Sequence, residues 1–277
     1  MSSPDPSAAA RAVALQAAQA YRAAFADRLL AAYALGSVAH GGYAEAVSDI
    51  DLALVLRETR DGDAEIVDTT RESLHPRGRL HRKLSVFWGS STALSRGGED
   101  GRFPAIDRLD LHDHGELLLG AEVAGEVAVP TPDELLLDSA NFAARILASD
   151  AMIAECHQPR RLLEDTVWFT KAVLFPVRFL YTDAETTGSA APNDEAIAWY
   201  LAEPDAIAPA LVRLAAQVRQ GRPLDPAEVA PLLAEGLIPL YEHYIEDHTQ
   251  RLRDVGAPAN LIDAFTRWRE QLAGPAG

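Results

Sequence analysis

The sequence predicts an α/β unit followed by an all-helical bundle. Short apolar runs alternate with stretches of helical periodicity as far as Val123, whereas beyond Pro132 the pattern is helical almost to the end. Prolines at 130 and 132 coincide with this change. Because prolines commonly punctuate connections between elements, we place the boundary there, giving domains at 1–129 and 130–277.

The first domain begins with an alanine-rich helix over Ala8–Leu29, on which apolar residues recur at helical spacing. Four apolar runs predict strands, and the segments between them predict short helices and one polar, glycine-containing loop that we expect to be mobile. The strands are expected at 30–35, 49–56, 84–88 and 117–123, the helices at 37–41, 64–74 and 104–114, and the loop at 89–103. Ser37 is a suitable N-cap for the first short helix.

The sequence pattern of the second domain predicts helices throughout. We expect them at 133–156, 160–184, 193–202, 205–220, 226–253 and 258–273. Pro231 and Pro239 are expected to break or kink the fifth, and Pro176 to kink the second, because proline removes a backbone donor and clashes with the preceding turn.

Composition excludes several classes of function. The 277 residues are 48% hydrophobic and 24% charged, which is typical of a soluble globular protein. A net charge of −16 argues against a nucleic-acid surface, which needs clustered Lys and Arg. The single cysteine, Cys156, excludes an internal disulfide and is expected to be a buried thiol. We find no signal peptide and no run near the ~20 apolar residues of a membrane span, so we expect a cytoplasmic protein that does not bind membranes.

The stretch 35–53 carries the clearest chemistry. Gly36 and Ser37 close one apolar run, and after eleven residues Asp49 and Asp51 begin the next. Side chains two apart on a strand share a face, so the two carboxylates point the same way and repel unless a cation lies between them. Mg²⁺ takes one or two carboxylates together with phosphate oxygens. A Gly-Ser turn presents N–H groups and a hydroxyl to phosphates, so the stretch predicts a Mg²⁺–nucleotide site.

This constellation resembles the nucleotidyltransferase superfamily that includes DNA polymerase β. That signature is a hydrophobic residue, Gly and Gly or Ser, then, after a spacer, Asp-hydrophobic-Asp/Glu-hydrophobic. Its fixed positions are matched by Leu35, Gly36, Ser37, Asp49, Ile50, Asp51 and Leu52. The resemblance implies a nucleotidyltransferase domain with a mixed sheet, in which Asp49 and Asp51 bind Mg²⁺ and Gly36 and Ser37 bind the β- and γ-phosphates of ATP or another NTP.

The layout of the whole chain is similar to the aminoglycoside adenylyltransferases, in particular the streptomycin- and spectinomycin-modifying group. In the second domain the similarity rests on Arg178–Tyr181, on Thr187-Gly188 and on Pro192–Trp199. It implies a helical domain that binds a small, cationic, aminoglycoside-like acceptor. The acidic residues there could receive its amines or could be ordinary surface charge; they are Asp183, Glu185, Asp194 and Glu195.

Two positions depart from the family pattern. The family usually supplies a third carboxylate from the third strand, as metal ligand or base, but Leu84-Ser85-Val86 places Ser85 there. Asp110, within Leu109-Asp110-Leu111, has a pattern that could supply this catalytic carboxylate, or it is a polar position on a short helix. Asn193 stands where relatives often have a lysine.

Three basic residues are candidate phosphate ligands. Lys171 and Arg178 lie two helical turns apart on one face, where they could neutralise the triphosphate or form a surface pair. His40 follows Ser37 at a position where relatives often have a basic residue, so a phosphate contact is expected.

We therefore predict Mg²⁺-dependent transfer of a nucleoside monophosphate, AMP from ATP, to an acceptor hydroxyl. Two alternatives stay open because of Ser85. The chain could be a nucleotide-binding or regulatory protein that lost the third acid, or it could adenylylate a protein or an RNA. The low positive charge disfavours RNA.

Overall fold

The structure, a computed structural model, describes residues 6–184, 190 and 192–274. The chain divides into two compact units, of which the first ends at Pro130 and the second begins at Thr131. Each unit has its own hydrophobic core, so each is described separately. Across the described residues, no helix is both long enough and apolar enough to cross a membrane.

The first unit alternates helices and strands along the chain. In order they are α1 (Pro6–Phe25), β1 (Leu29–Ala34), α2 (Gly36–Ala39), β2 (Ile50–Leu56), α3 (Asp63–Leu74), β3 (Leu84–Ser90), α4 (Ser91–Arg96), α5 (Ala105–His114) and β4 (Glu116–Gly120). A short 3-10 turn, Leu80–Lys83, leads directly into β3.

In the described part of the chain, the four strands form one mixed sheet in the order β3-β2-β1-β4. β1 pairs antiparallel with both β2 and β4, and β2 pairs parallel with β3. Alternate residues of β2 enter opposite cores: Leu52 and Leu54 pack with α1 and α3, whereas Ala53 and Val55 pack with α4 and α5. The mixed sheet that the sequence predicts is confirmed.

Two details of the first unit differ from the sequence prediction. The expected loop at 89–103 contains α4, whose N-terminus is capped by Ser90 Oγ accepting the Ala93 N–H at 3.1 Å. Six residues are too few for a clear helical period, so the pattern did not show this helix. Ser37 is not the N-cap of α2; Leu35 holds that position, and Ser37 lies inside the first turn.

The second unit is helical. Its elements are α6 (Pro132–Ile146), α7 (Asp150–His157), α8 (Thr166–Thr182), α9 (Asn193–Ala202), α10 (Pro209–Arg219), α11 (Pro226–Asp254) and α12 (Ala259–Ala273). The helix predicted at 133–156 is two helices, because Ser149 caps a new one by accepting the Met152 N–H. Pro231 and Pro239 lie within the continuous α11, and Pro176 lies within α8, so none of them ends its helix.

A fully buried histidine joins α8 to α11. His248 contacts Oδ2 of Asp183 through Nε2 at 2.9 Å and Oδ2 of Asp247 through Nδ1 at 3.3 Å. Arg251 bonds Asp247 and donates to the Asp183 carbonyl at 2.6 Å. We call these four residues the His248 cluster. Ser139 of α6 also donates to Asp183, and the Phe265 ring of α12 stacks on the imidazole.

Three of the residues predicted to matter in the second domain, Glu185, Thr187 and Gly188, lie outside the described residues. Cys156 is buried as predicted, and burial raises the pKa of its thiol to about 12. A thiol with so high a pKa carries almost no thiolate at neutral pH, so Cys156 has a packing role.

Candidate functional site

The candidate site lies where β1 and β2 meet α2 and α5. Asp51 is the second residue of β2, between Ile50 and Leu52, which are completely buried. Asp49 comes one residue before the strand begins. Both aspartates are half-buried, and strand geometry directs Asp51 to the face shared with Ala53 and α5.

Gly36 allows the turn after β1 to approach Asp51. Its φ of +58° is a left-handed conformation that L side chains rarely adopt. A Cβ built on Gly36 would lie only 2.7 Å from Oδ2 of Asp51. The Leu35 N–H also donates to the Asp51 carbonyl at 3.0 Å, which fixes the two backbones side by side. The glycine of the motif is therefore required both by its backbone conformation and by the carboxylate beside it.

Replacing Gly36 by alanine is expected to weaken any binding that depends on Asp51. The left-handed backbone should cost about 1–3 kcal/mol of unfolding free energy, and the added methyl should push the Asp51 carboxylate away. Gly41→Ala is the matched control, because Gly41 has φ +89° but nothing within 4 Å of its Cβ. Thermal unfolding should fall in both variants, whereas Mg²⁺-dependent nucleotide affinity should fall only in Gly36→Ala. Equal affinity in the two variants would contradict the role of this contact.

Asp110 approaches the same glycine from the other side. It lies on α5, and its Oδ2 accepts the Gly36 N–H at 2.6 Å. Its side chain is buried, with His40 Nε2 3.8 Å from Oδ1. The His40 ring also packs edge-on against His114 of α5, with centroids 5.5 Å apart. Asp110 and His40, both predicted from sequence, are thus brought together beside Gly36.

Ser85 occupies the position next to Asp51 on the neighbouring strand. β2 and β3 pair in parallel with Asp51 opposite Ser85 and Ile50 opposite Leu84. Asp110 is on a helix and not on the third strand, so it does not fill that register position. The nearest strand position to Asp51 therefore holds a hydroxyl where the resemblance implies a carboxylate.

Lys83 is a site residue that the sequence argument did not single out. Its ammonium donates to the carbonyl oxygens of Glu45 at 2.8 Å, Ser48 at 3.0 Å and Ala46 at 3.4 Å. These carbonyls belong to the turn that leads into Asp49. The available signal was a lysine immediately before a strand that pairs with the aspartate strand.

Tyr43 at the start of that turn is also buried. Its hydroxyl finds no hydrogen-bond partner in the described part of the chain. Burial, and then the nearby Glu45 carboxylate, raise the pKa of this phenol above 10.0. The phenol is therefore neutral at physiological pH and can donate a hydrogen bond.

The two aspartates fit Mg²⁺ when phosphates complete its shell. Within residues 6–184, 190 and 192–274, no group of three or more His, Cys, Asp or Glu side chains could hold a metal ion. Mg²⁺ does not need such a group, because it is commonly bound by one or two carboxylates, phosphate oxygens and water. Asp49 and Asp51 meet that requirement, and the close approach of Gly36 leaves a turn without a side chain beside them.

The remaining candidates belong to the second unit. Lys171 and Arg178 are half-buried on α8. Asp194 and Glu195 are exposed at the start of α9, where Glu195 accepts a hydrogen bond from the Tyr181 hydroxyl at 2.7 Å. Asp183 is not a surface acidic residue, because its carboxylate is buried in the His248 cluster. The sequence-based expectation that it contacts a cationic acceptor is therefore wrong.

Comparison with known proteins gives a likeness in structure alone. No protein-family description and no curated protein matches the sequence. The crystal structure of spectinomycin adenyltransferase AAD(9) from Enterococcus faecialis, determined with ATP and spectinomycin, matches with a TM-score of 0.54 and 13% identity. The match covers 92% of this chain and 96% of that one. In fold, the chain therefore resembles the aminoglycoside adenylyltransferases, as the layout of the whole chain predicts.

Proposed function

We propose that the protein is a Mg²⁺-dependent nucleotidyltransferase that moves AMP from ATP to a hydroxyl of a small, cationic, aminoglycoside-like acceptor. The observation that carries this proposal is the approach of Gly36 to Asp51, because we assign the first to phosphate binding and the second to the metal. The structural likeness to an adenyltransferase that was determined with ATP supports the same reading.

In this proposal Asp49 and Asp51 would hold Mg²⁺, and the ion would supply positive charge to neutralise the triphosphate and the departing pyrophosphate. The Gly36–Ser37 turn binds the β- and γ-phosphates. A phosphate oxygen would compete with Asp110 for the Gly36 N–H, since that N–H is already donated. Asp110 displaced in this way would lie beside His40, whose ring could then donate a hydrogen bond to it or to a phosphate.

Transfer itself is an in-line displacement at the α-phosphorus. The acceptor oxygen forms a bond to phosphorus, the bond to the bridging oxygen breaks, and pyrophosphate leaves with that electron pair. The hydroxyl proton must go to a base, for which Asp110 is our candidate in place of the absent third-strand carboxylate. We assign Lys171 and Arg178 to triphosphate binding and the exposed Asp194 and Glu195 to the acceptor's amines, on the basis of charge.

Restoring a carboxylate at position 85 is expected to raise the transfer rate. General-base assistance is worth about 10²–10⁴-fold, and the register puts residue 85 next to Asp51. Ser85→Glu should therefore accelerate AMP transfer by about tenfold or more, while Ser85→Gln, which has the same shape without the charge, should not. Single-turnover rates measure the difference. A Glu variant no faster than the Gln variant would show that a carboxylate at position 85 adds nothing to the base that we assign to Asp110.

Ser85 also favours a second candidate function. A protein that kept the metal pair and lost the third acid could bind Mg²⁺–ATP as a nucleotide-binding or regulatory module. Adenylylation of a protein is the third candidate; RNA is disfavoured by the net charge of −16.

One experiment separates these functions. Calorimetric titration with ATP, with and without Mg²⁺, measures binding, and mass spectrometry of reactions containing spectinomycin or streptomycin detects an AMP adduct. Metal-dependent binding with an adduct supports the enzyme. Metal-dependent binding without an adduct on any small acceptor or protein contradicts the enzyme and supports the regulatory module.

A further inference from the structure

Lys83 makes contacts that the motif alone does not explain. It ends the 3-10 turn before β3, and its half-buried ammonium faces three carbonyl oxygens of the turn 45–48. A lysine ammonium has three N–H donors, so one side chain can satisfy all three carbonyls. The charge makes these bonds about twice as strong as neutral ones.

The turn 45–48 determines where Asp49 lies. Asp49 precedes β2, so the ladder that fixes Asp51 does not include it. Within the turn, Ser48 N–H donates to the Ala44 carbonyl at 2.8 Å and Ser48 Oγ accepts the Ala44 N–H at 3.1 Å. These bonds shape the turn locally, whereas the bond from Lys83 ties the Ser48 carbonyl to the residue that immediately precedes β3.

The register places Lys83 at the level of Asp49. Leu84 pairs with Ile50 in parallel as the first pair of the two strands, and Lys83 and Asp49 are the residues that immediately precede this pair. A positive charge at this end lowers the repulsion between the two aspartates when no cation lies between them.

We infer that Lys83 is a positioning residue for Asp49: it clamps the turn 45–48 to the start of β3 and so holds the first aspartate in place for Mg²⁺. This inference rests on the proposed function, since it assigns Lys83 a part in building the same metal site. Lys83 touches neither the nucleotide nor the acceptor in this assignment; it acts through the backbone of the turn.

The test compares Lys83→Met and Lys83→Arg with two control variants. Arg82→Met removes the adjacent, exposed positive charge, and Arg79→Met removes a contact to the same turn that goes through the Glu45 side chain. For each full-length variant we would measure the Mg²⁺ concentration that half-saturates ATP binding, thermal unfolding, and amide hydrogen exchange over residues 44–51.

We expect Lys83→Met to raise the half-saturating Mg²⁺ concentration about tenfold or more and to speed exchange in the turn. Lys83→Arg should recover part of both, and neither control should change them. The inference is overturned if Lys83→Met lowers the unfolding temperature but has the same half-saturating Mg²⁺ concentration and the same amide exchange rates as the two control variants. Wild-type protein that shows no Mg²⁺-dependent ATP binding overturns the proposed function instead, and hydrogen exchange alone then decides whether Lys83 holds the turn.

Discussion

Asp51→Asn is expected to abolish Mg²⁺-dependent ATP binding without unfolding the protein. Asparagine keeps the shape of the side chain but loses the charge that a hard cation requires. Removing groups that merely orient a metal ligand costs about 10–100-fold in affinity, so losing a ligand should cost about 100-fold or more. AMP transfer should fall at least as far.

The unfolding temperature of Asp51→Asn should stay the same or rise slightly. Without a cation the two carboxylates repel, and the substitution relieves that repulsion. Asp61→Asn, an exposed aspartate in the loop after β2, is the matched control and should change neither property. Calorimetry and thermal unfolding of the three proteins measure both quantities. Unchanged metal-dependent affinity in Asp51→Asn would remove the metal-site assignment.

His248→Ala is expected to cause the largest loss of stability among the substitutions considered. The imidazole is completely buried between Asp183 and Asp247. Removing it leaves the buried Asp183 carboxylate without its cation, which typically costs about 3–5 kcal/mol. His243→Ala is the control, since His243 is an exposed histidine on the same helix. Denaturant unfolding should show this loss of stability for His248→Ala and not for His243→Ala. Small losses of equal size in both variants would contradict a charged cluster around His248.

The His248 cluster also makes the free energy of unfolding depend on pH, and the pKa shifts of its residues give the direction of that dependence. Burial lowers the pKa of His248, but hydrogen bonds to Asp183 and Asp247 outweigh it, so the pKa ends above the ordinary 6.5. Burial raises the pKa of Asp247, but bonds to His248 and Arg251 bring it down to about 2.

A raised histidine pKa stabilises the fold below the unfolded-state value and loses that contribution as pH rises through the folded value. A lowered aspartate pKa stabilises above the ordinary 3.8 and loses its contribution as pH falls toward about 2. Stability should therefore be greatest between these limits, and the alkaline loss should be absent in His248→Ala. An alkaline decline equal to that of the wild type in this variant would show that other groups cause it.

The sequence was sufficient for the architecture, and it selects the residues that we propose as the centre of the site. Short apolar runs predict each strand of the sheet to within a few residues, because the central strands, β1 and β2, are buried on both faces and are therefore almost continuously apolar. The candidates Gly36, Asp49 and Asp51 can be selected from the sequence because their chemistry is local: a Gly-Ser turn and two carboxylates at strand spacing can be recognised without tertiary contacts.

What the sequence did not show depends on contacts between distant residues. Lys83 and the turn 45–48 are more than thirty residues apart, and His248 and Asp183 are 65 apart, so no spacing rule connects them. Asp183 was expected at the surface because an isolated aspartate usually is. Helix α4 was missed for a different reason, since its start is specified by a side-chain cap and not by a period.

The central claim, AMP transfer that depends on the aspartate pair, is tested most directly by one mass measurement. Wild-type protein and the Asp49→Asn/Asp51→Asn double variant are each incubated with ATP, Mg²⁺ and spectinomycin or streptomycin. The mass of the acceptor is then measured by mass spectrometry. We predict an acceptor heavier by one adenylyl group with the wild type and an unmodified acceptor with the double variant. An adduct formed equally by both proteins would contradict the assignment of Asp49 and Asp51, and no adduct from the wild type with either acceptor would contradict the proposed transfer to them.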